Sequence, residues 1–172
     1  MKMYRCFALA ICFILSGCIG LMSSSKDVTD DQRYWGGYKP GMEVLLVEDV
    51  YILKKNNILL PETYFNSASS PNNFDFVYPN SFNEYLKAPE KYPELKILKK
   101  GVVVKCTKIY FVDSVNWGTI NIYGVVENGD YKNYIVSLRF LSDAANPNEG
   151  GLHRLKPYER YLKPVEKKND DN

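Results

Sequence analysis

Few residues in this chain have side chains suited to covalent or acid–base chemistry. It contains four cysteines and one histidine among 172 residues. A Ser-His-Asp triad would have to use His153, and no nucleophile-elbow sequence occurs anywhere in the chain. Glycoside hydrolysis by two carboxylates stays open, because its acids need no local motif. No catalytic set is predicted from the residue types and their spacing.

Cys18 is the cysteine whose surroundings indicate a specific reaction. It follows an apolar run from Cys6 to Leu15, and the basic residues Lys2 and Arg5 precede that run. This is the layout of a secretory signal. As a helix the run would cover ~15 Å, against ~30 Å of bilayer hydrocarbon, which disfavours a membrane-spanning segment.

The sequence Leu15-Ser16-Gly17-Cys18 resembles the lipobox of bacterial lipoprotein precursors. The resemblance implies that the Cys18 thiol takes a diacylglycerol, that a peptidase cuts between Gly17 and Cys18, and that the new α-amine is then acylated. Two or three long acyl chains would hold the protein at a membrane almost permanently. Because Ile19 rather than Asp follows the cysteine, the resemblance implies the periplasmic face of the outer membrane in a Gram-negative host. An ordinary signal peptide with an incidental cysteine is the alternative.

The composition limits the partners of the mature chain. Removal of residues 1–17 takes away two of the 22 basic residues, so the remaining 20 equal the 20 acidic residues. A formally neutral chain lacks the basic surface that nucleic-acid binding requires. With Cys18 lipidated, Cys106 and His153 are too few for the usual structural zinc sites, and no intramolecular disulfide can form. Beyond the lipid, no cofactor or metal is predicted.

Four segments differ in composition. Residues 1–17 form the signal peptide, 18–39 a lipidated tether, 40–162 a β domain and 163–172 a charged tail. The tether prediction rests on the polar run from Ser23 to Asp31, which is unsuited to packing in a core.

Alternating apolar residues predict strands through the β domain. Segment 102–106 has one apolar face, and after Lys108 the apolar residues shift to the other register. This shift indicates either a β-bulge or a strand that curls until both of its faces are covered. Asn128-Gly129 predicts a hairpin, and alternation from Tyr134 to Phe140 predicts the strand that follows it. We therefore expect a mainly β fold, either a small SH3-like barrel or a curled antiparallel sheet, with Cys106 buried and unreactive.

Segment 61–93 is long and aromatic, and we expect it to carry one short helix and to fold back onto the sheet. Ser81 and Glu84 have capping-box spacing, and Pro89 blocks continuation of the helix. Connections of this length are usually functional or disordered, and these aromatics favour either a partner-binding surface or a cover for the core. The candidate partner-binding residues are Tyr64, Phe65, Phe74, Phe76, Tyr78 and Phe82. The aromatics of Tyr34-Trp35-Gly36-Gly37-Tyr38 are expected to cover one end of the core.

These features predict a lipid-anchored cell-envelope protein that faces the periplasm and binds a protein or an envelope polymer without catalysis. An immunity protein that neutralises a delivered toxin in the periplasm is the alternative, by analogy with small lipoproteins that lack catalytic motifs. A glycan-acting enzyme with paired carboxylates is the third hypothesis.

Replacing Cys18 with Ser tests the anchor. The variant lacks the thiol that would carry the diacylglycerol, so we expect no incorporation of a fatty-acid probe and a precursor left uncut after Gly17. Metabolic labelling followed by gel electrophoresis measures both. Cys12→Ser is the matched control, since it removes a cysteine of the signal and should leave labelling unchanged. Normal labelling of Cys18→Ser would contradict the lipobox interpretation.

Overall fold

The computed structural model describes residues 24–54, 57–61, 82–114, 117–145 and 154–165, apart from the side chains of Phe82, Ser114 and Trp117. The strands are β1 (Ser24–Asp27), β2 (Glu43–Leu46), β3 (Val50–Leu53), β4 (Ile58–Leu60), β5 (Leu95–Leu98), β6 (Val103–Ser114), β7 (Trp117–Val126), β8 (Ile135–Ser137), β9 (Ser142–Ala144), β10 (Leu155–Pro157) and β11 (Leu162–Pro164). The α-helix is α1 (Phe82–Lys87), and 3-10 turns lie at Gln32–Tyr34, Pro89–Lys91 and Arg139–Leu141. Among the described residues, no helix has the length and hydrophobicity needed to cross a membrane.

Nine strands form one sheet, and β9 and β10 form a separate antiparallel pair. The order across the sheet is β11-β2-β6-β7-β8-β4-β3-β5, and β1 also pairs with β6. The pairings are antiparallel except for the short contact of β4 with β8, where Ile58 lies opposite Ser137. Within the described ranges the sheet does not close on itself. The predicted mainly β fold is therefore confirmed as a curled antiparallel sheet rather than a closed barrel.

The long strands β6 and β7 pair along their whole length. The register shifts between Cys106 and Lys108, so the predicted β-bulge is confirmed, with Thr107 as the extra residue. Cys106 lies opposite Gly124, whose ideal Cβ would come within 2.6 Å of Val104 Cγ1. Glycine is required at this point because any side chain would clash with the neighbouring strand.

Two apolar cores lie on opposite faces of the sheet. In the larger core, Ile109 of β6 lies opposite Ile122 of β7, and neither has exposed surface. β3 contributes to both cores, because Ile52 joins the larger one and Tyr51 the smaller one. Successive side chains of a strand point to opposite faces, which explains why β3 is apolar at every position from Val50 to Leu53.

α1 and the turn after it cover the smaller core. Tyr85 is buried, its ring lies edge-on to that of Tyr51 with centroids 5.7 Å apart, and its hydroxyl donates to the Leu95 carbonyl oxygen at 3.2 Å. Tyr92 is also buried, with its ring centroid 6.1 Å from that of Tyr85. The described part of segment 61–93 therefore folds back onto the sheet with one short helix, as predicted.

The predicted tether over residues 18–39 is wrong from Ser24 onward. β1 pairs with residues 110–113 of β6, although its own side chains are exposed. Backbone pairing holds this strand, and the polarity of a sequence does not reveal such pairing. Val28 and Tyr38 lie in the larger core, so the folded domain begins well before residue 40.

The aromatic cluster after β1 covers one end of the larger core, as expected. Tyr38 is 1% exposed, and its hydroxyl lies 2.7 Å from Ser142 Oγ in a hydrogen bond. Trp35 packs against the same core. Gly36 has φ +56°, and its ideal Cβ would lie 2.5 Å from the Leu155 carbonyl oxygen, so glycine allows the cluster to approach β10.

The hairpin predicted at Asn128-Gly129 is confirmed, because β7 and β8 pair in antiparallel fashion. The strand predicted to run as far as Phe140 is wrong after Ser137. Leu138 leaves the extended conformation, with φ −92° and ψ 0°, and a 3-10 turn follows. Leu138 and Leu141 are both fully buried, so the turn buries these apolar residues as effectively as a strand would.

The chain stays paired beyond the predicted end of the β domain. Lys163 of β11 lies opposite Leu45 of β2, and the Val165 backbone nitrogen donates to the Glu43 carbonyl oxygen at 2.9 Å. The charged tail predicted over 163–172 is therefore wrong for its first residues. Their backbone completes an edge of the sheet while their side chains remain exposed.

The burial of Cys106 generates a test of the bulge region. The side chain has no exposed surface, and burial raises the pKa of its thiol to about 12. We expect no reaction of this thiol with a disulfide reagent in the folded protein and full reaction after unfolding in urea. Cys106→Ala should lower the free energy of unfolding by ~1–2 kcal/mol, and it also identifies any labelling that comes from other cysteines. Labelling of folded protein that disappears in Cys106→Ala would contradict the burial.

Candidate functional site

An open cleft lies on the face of the sheet opposite the larger core, where β1, β6, β7 and β8 run side by side. Its volume is about 400 Å³, within the range of ~300–1,000 Å³ that is usual for small-molecule sites. The residues that line it are Ser25, Thr107, Lys108, Tyr110, Asn121, Tyr123 and Ile135. Because four paired strands supply these residues, the sheet fixes their relative positions.

The β-bulge turns two consecutive residues of β6 toward this cleft. Cys106 and Ile109 are fully buried, and both Thr107 and Lys108 between them line the cleft. In a regular strand one of the two would point inward. Thr107 Oγ1 also donates to the Tyr123 carbonyl oxygen at 3.4 Å, which ties the bulge to β7.

An ion pair joins β1 to the cleft. Lys108 Nζ donates to Asp27 Oδ2 at 2.8 Å. The Thr29 backbone nitrogen donates to Asp27 Oδ1 at 3.0 Å, and the Thr29 hydroxyl accepts from the Ile109 backbone nitrogen at 3.0 Å. The hydrogen bonds from Lys108 and then from Thr29 lower the pKa of Asp27 to about 2, and the bond to Asp27 raises the pKa of Lys108. Near neutral pH both groups are ionised, and their charges cancel.

Two tyrosines form the main apolar surface of the cleft. The rings of Tyr110 and Tyr123 meet edge to face, with centroids 5.8 Å apart and an angle of 87° between their planes. Tyr110 lies opposite Asn121, and Lys108 lies opposite Tyr123, so each ring has a polar cross-strand neighbour. Ile135, which is 56% exposed, extends the apolar surface onto β8.

Arg139 contacts the Asn121 amide of the cleft. Its Nη1 donates to Asn121 Oδ1 at 3.4 Å. The same guanidinium lies 5.7 Å from the ring centroid of Phe140, within the range of a cation–π interaction. The hydrogen bond from Arg139 orients the Asn121 amide, which lines the cleft, and the contact with Phe140 holds the guanidinium.

The structure does not describe most of the residues that the sequence singled out. Gly17, Cys18 and His153 lie outside the described residues. The candidate partner-binding residues Tyr64, Phe65, Phe74, Phe76 and Tyr78 also lie outside them. Phe82 opens α1, and its side chain is not described. Their roles as anchor and partner surface stay predictions.

Sequence reasoning missed Tyr110, Asn121 and Tyr123 as site residues. The alternation that places Ile109 and Ile122 inside also places their neighbours on the outer face. Strands generally favour aromatic residues, so the residue types alone do not mark a site. The informative signal was their position, because large aromatic side chains here occupy the solvent-facing side of paired strands.

No protein-family model matches this chain, and no curated protein or solved structure shows significant similarity to it. Within the described ranges, no group of three or more His, Cys, Asp or Glu side chains could hold a metal ion. For non-covalent recognition the cleft offers two aromatic rings, an amide, four hydroxyls and a lysine whose charge Asp27 neutralises.

Asp27→Asn tests whether the ion pair holds β1 at the cleft. Because the pKa of Asp27 is lowered in the folded state, its contribution to stability is present above its ordinary pKa of 3.8 and is lost as the pH falls to about 2. The free energies of unfolding of the parent and the variant should therefore differ at about pH 6 and converge at about pH 2. Urea unfolding at both pH values measures this. Lys108→Gln removes the other charge of the ion pair and should reduce the pH dependence of the free energy of unfolding in the same way. If the parent and Asp27→Asn differ in free energy of unfolding by the same amount at both pH values, the role of Asp27 is contradicted.

Proposed function

We propose that this protein is a lipid-anchored cell-envelope protein that faces the periplasm and binds a protein or an envelope polymer in the cleft, without catalysis. The observation that carries the binding role is the outward pair of Tyr110 and Tyr123 in a cleft of about 400 Å³. Tyrosine is enriched where binding energy is concentrated. Cleft sites usually combine an apolar surface with a few placed polar groups.

The cleft side chains are held in place before any partner arrives. Tyr110 and Tyr123 are diagonal neighbours in the long ladder of β6 and β7, and their rings contact each other. Arg139 and Asp27 likewise hold the polar groups of Asn121 and Lys108. Such ordering supports a binding role, because fewer side-chain conformations are lost when a partner docks.

The anchor in this proposal rests on the lipobox resemblance of Leu15-Ser16-Gly17-Cys18. The chain from Cys18 to Ser24 reaches at most ~20 Å when fully extended. β1 starts at Ser24 and borders the cleft. A lipid on Cys18 would therefore keep the cleft close to the bilayer, where it would meet partners at the membrane surface.

The carboxylate beside the cleft is not suited to the acid role in glycoside hydrolysis. The acid of a glycosidase needs a raised pKa so that it keeps a proton near neutral pH. Asp27 has the opposite property, because its hydrogen bonds to Lys108 and Thr29 lower its pKa to about 2. This carboxylate stays ionised and neutralises Lys108.

A photo-crosslinking amino acid at Ile135 tests cleft binding in cells that produce the full chain. Ile135 is 56% exposed beside the cleft, so its replacement should not disturb the core. We expect a discrete adduct after irradiation. Tyr123→Ala should reduce its yield ~10-fold or more, because an anchoring aromatic contributes ~2 kcal/mol or more to binding.

The same crosslinker at Tyr158, which is 39% exposed and does not line the cleft, is the matched control. Tyr123→Ala should stay folded, since loss of an edge-to-face ring pair costs about 0.5–1.5 kcal/mol, and its melting temperature verifies this. Identical adducts from both positions, or an Ile135 adduct that Tyr123→Ala leaves unchanged, would contradict cleft binding.

A further inference from the structure

The floor of the cleft is made of strands whose backbones are already paired. β6 pairs with β1 on one side and β7 on the other at residues 110–113. β7 pairs with β6 and with β8 at residues 123–125. A peptide that binds by adding a strand needs a free strand edge for its main-chain hydrogen bonds. A ligand that sits on β6 and β7 is therefore recognised by side chains.

The charge balance of the cleft disfavours an ionic ligand. An anion would compete with Asp27 for Lys108, and the two groups already lie 2.8 Å apart. A cation would compete with Lys108 for the same carboxylate. The other polar groups of the lining are uncharged. They are the Asn121 amide and the hydroxyls of Ser25, Thr107, Tyr110 and Tyr123. Electrostatic complementarity therefore favours a neutral polar ligand.

The aromatic surface requires a ligand that also has an apolar face. The rings of Tyr110 and Tyr123 stand nearly perpendicular, and Ile135 lies beside them in the same lining. A pyranose ring has this character, because its C–H groups form an apolar face and its hydroxyls form a polar rim. The volume of about 400 Å³ admits a short stretch of such rings.

We propose that the cleft binds a neutral saccharide, a short stretch of a glycan chain. Its C–H faces pack on Tyr110 and Tyr123, and its hydroxyl or acetamido groups bond to Asn121 and to the pair of Lys108 and Asp27. The proposal rests on the proposed function, since it names the envelope polymer that the same cleft binds. Arg139 acts here as a positioning residue, because it contacts the lining residue Asn121 but does not itself line the cleft.

The experiment measures binding of chitotriose and maltotriose to the full chain, purified in a zwitterionic detergent without a sugar headgroup. Isothermal titration calorimetry should show saturable binding of at least one of them. Tyr110→Ala and Tyr123→Ala should each weaken this binding ~10-fold or more. Tyr134→Ala is the matched control, since Tyr134 directly precedes Ile135 and is 50% exposed but does not line the cleft, and it should change Kd less than ~2-fold.

Two further probes, inorganic phosphate and an uncharged pentapeptide with blocked termini, should not bind. Saturable binding of either one in place of the saccharides would overturn the proposal, and so would a loss of affinity in Tyr134→Ala equal to that in Tyr123→Ala. If neither saccharide binds but the Ile135 adduct persists in cells, the saccharide proposal fails and the proposed function stands. If the adduct is absent as well, both fail.

Discussion

The pairing of β6 with β7, interrupted by one bulge at Thr107, determines both the core and the cleft. Ile109 and Ile122 face each other with no exposed surface, so the register of this ladder is set by burial. A slip of one residue would exchange the inner and outer faces of a strand. The same buried isoleucines therefore keep Lys108, Tyr110 and Tyr123 on the outer face, and the bulge adds Thr107 to them.

β1 links the cleft to the proposed anchor. Its four side chains are exposed, and it is held by its backbone pairing with β6 and by the hydrogen bonds of Asp27. Val28, directly after it, enters the larger core. Any force transmitted from a lipid on Cys18 would reach the folded domain through this strand. The side of the cleft that β1 forms is thus also the side nearest the proposed membrane surface.

Local sequence patterns allowed part of this structure to be predicted. The break in parity near Lys108 revealed the bulge, Asn128-Gly129 revealed the hairpin, and the apolar neighbours of Cys106 revealed its burial. β1 could not be predicted in this way. Its side chains are polar and exposed, so its sequence shows no apolar alternation, and its partner strand lies far along the chain. The outward direction of the Tyr110 side chain follows from the alternation of side chains along a strand. Its contact with the ring of Tyr123 depends on the register between the two strands, which no local sequence pattern predicts.

The central claim is that the outer faces of β6 and β7 are the binding surface. Nuclear magnetic resonance of the full chain in detergent, recorded as solubilised envelope glycan fragments are added, tests it most directly. The account predicts that chemical-shift changes concentrate at Tyr110, Asn121, Tyr123 and Ile135 and spare the buried Cys106 and the helix α1. Changes centred on α1 or on the cluster from Tyr34 to Tyr38, with the cleft residues unperturbed, would contradict it.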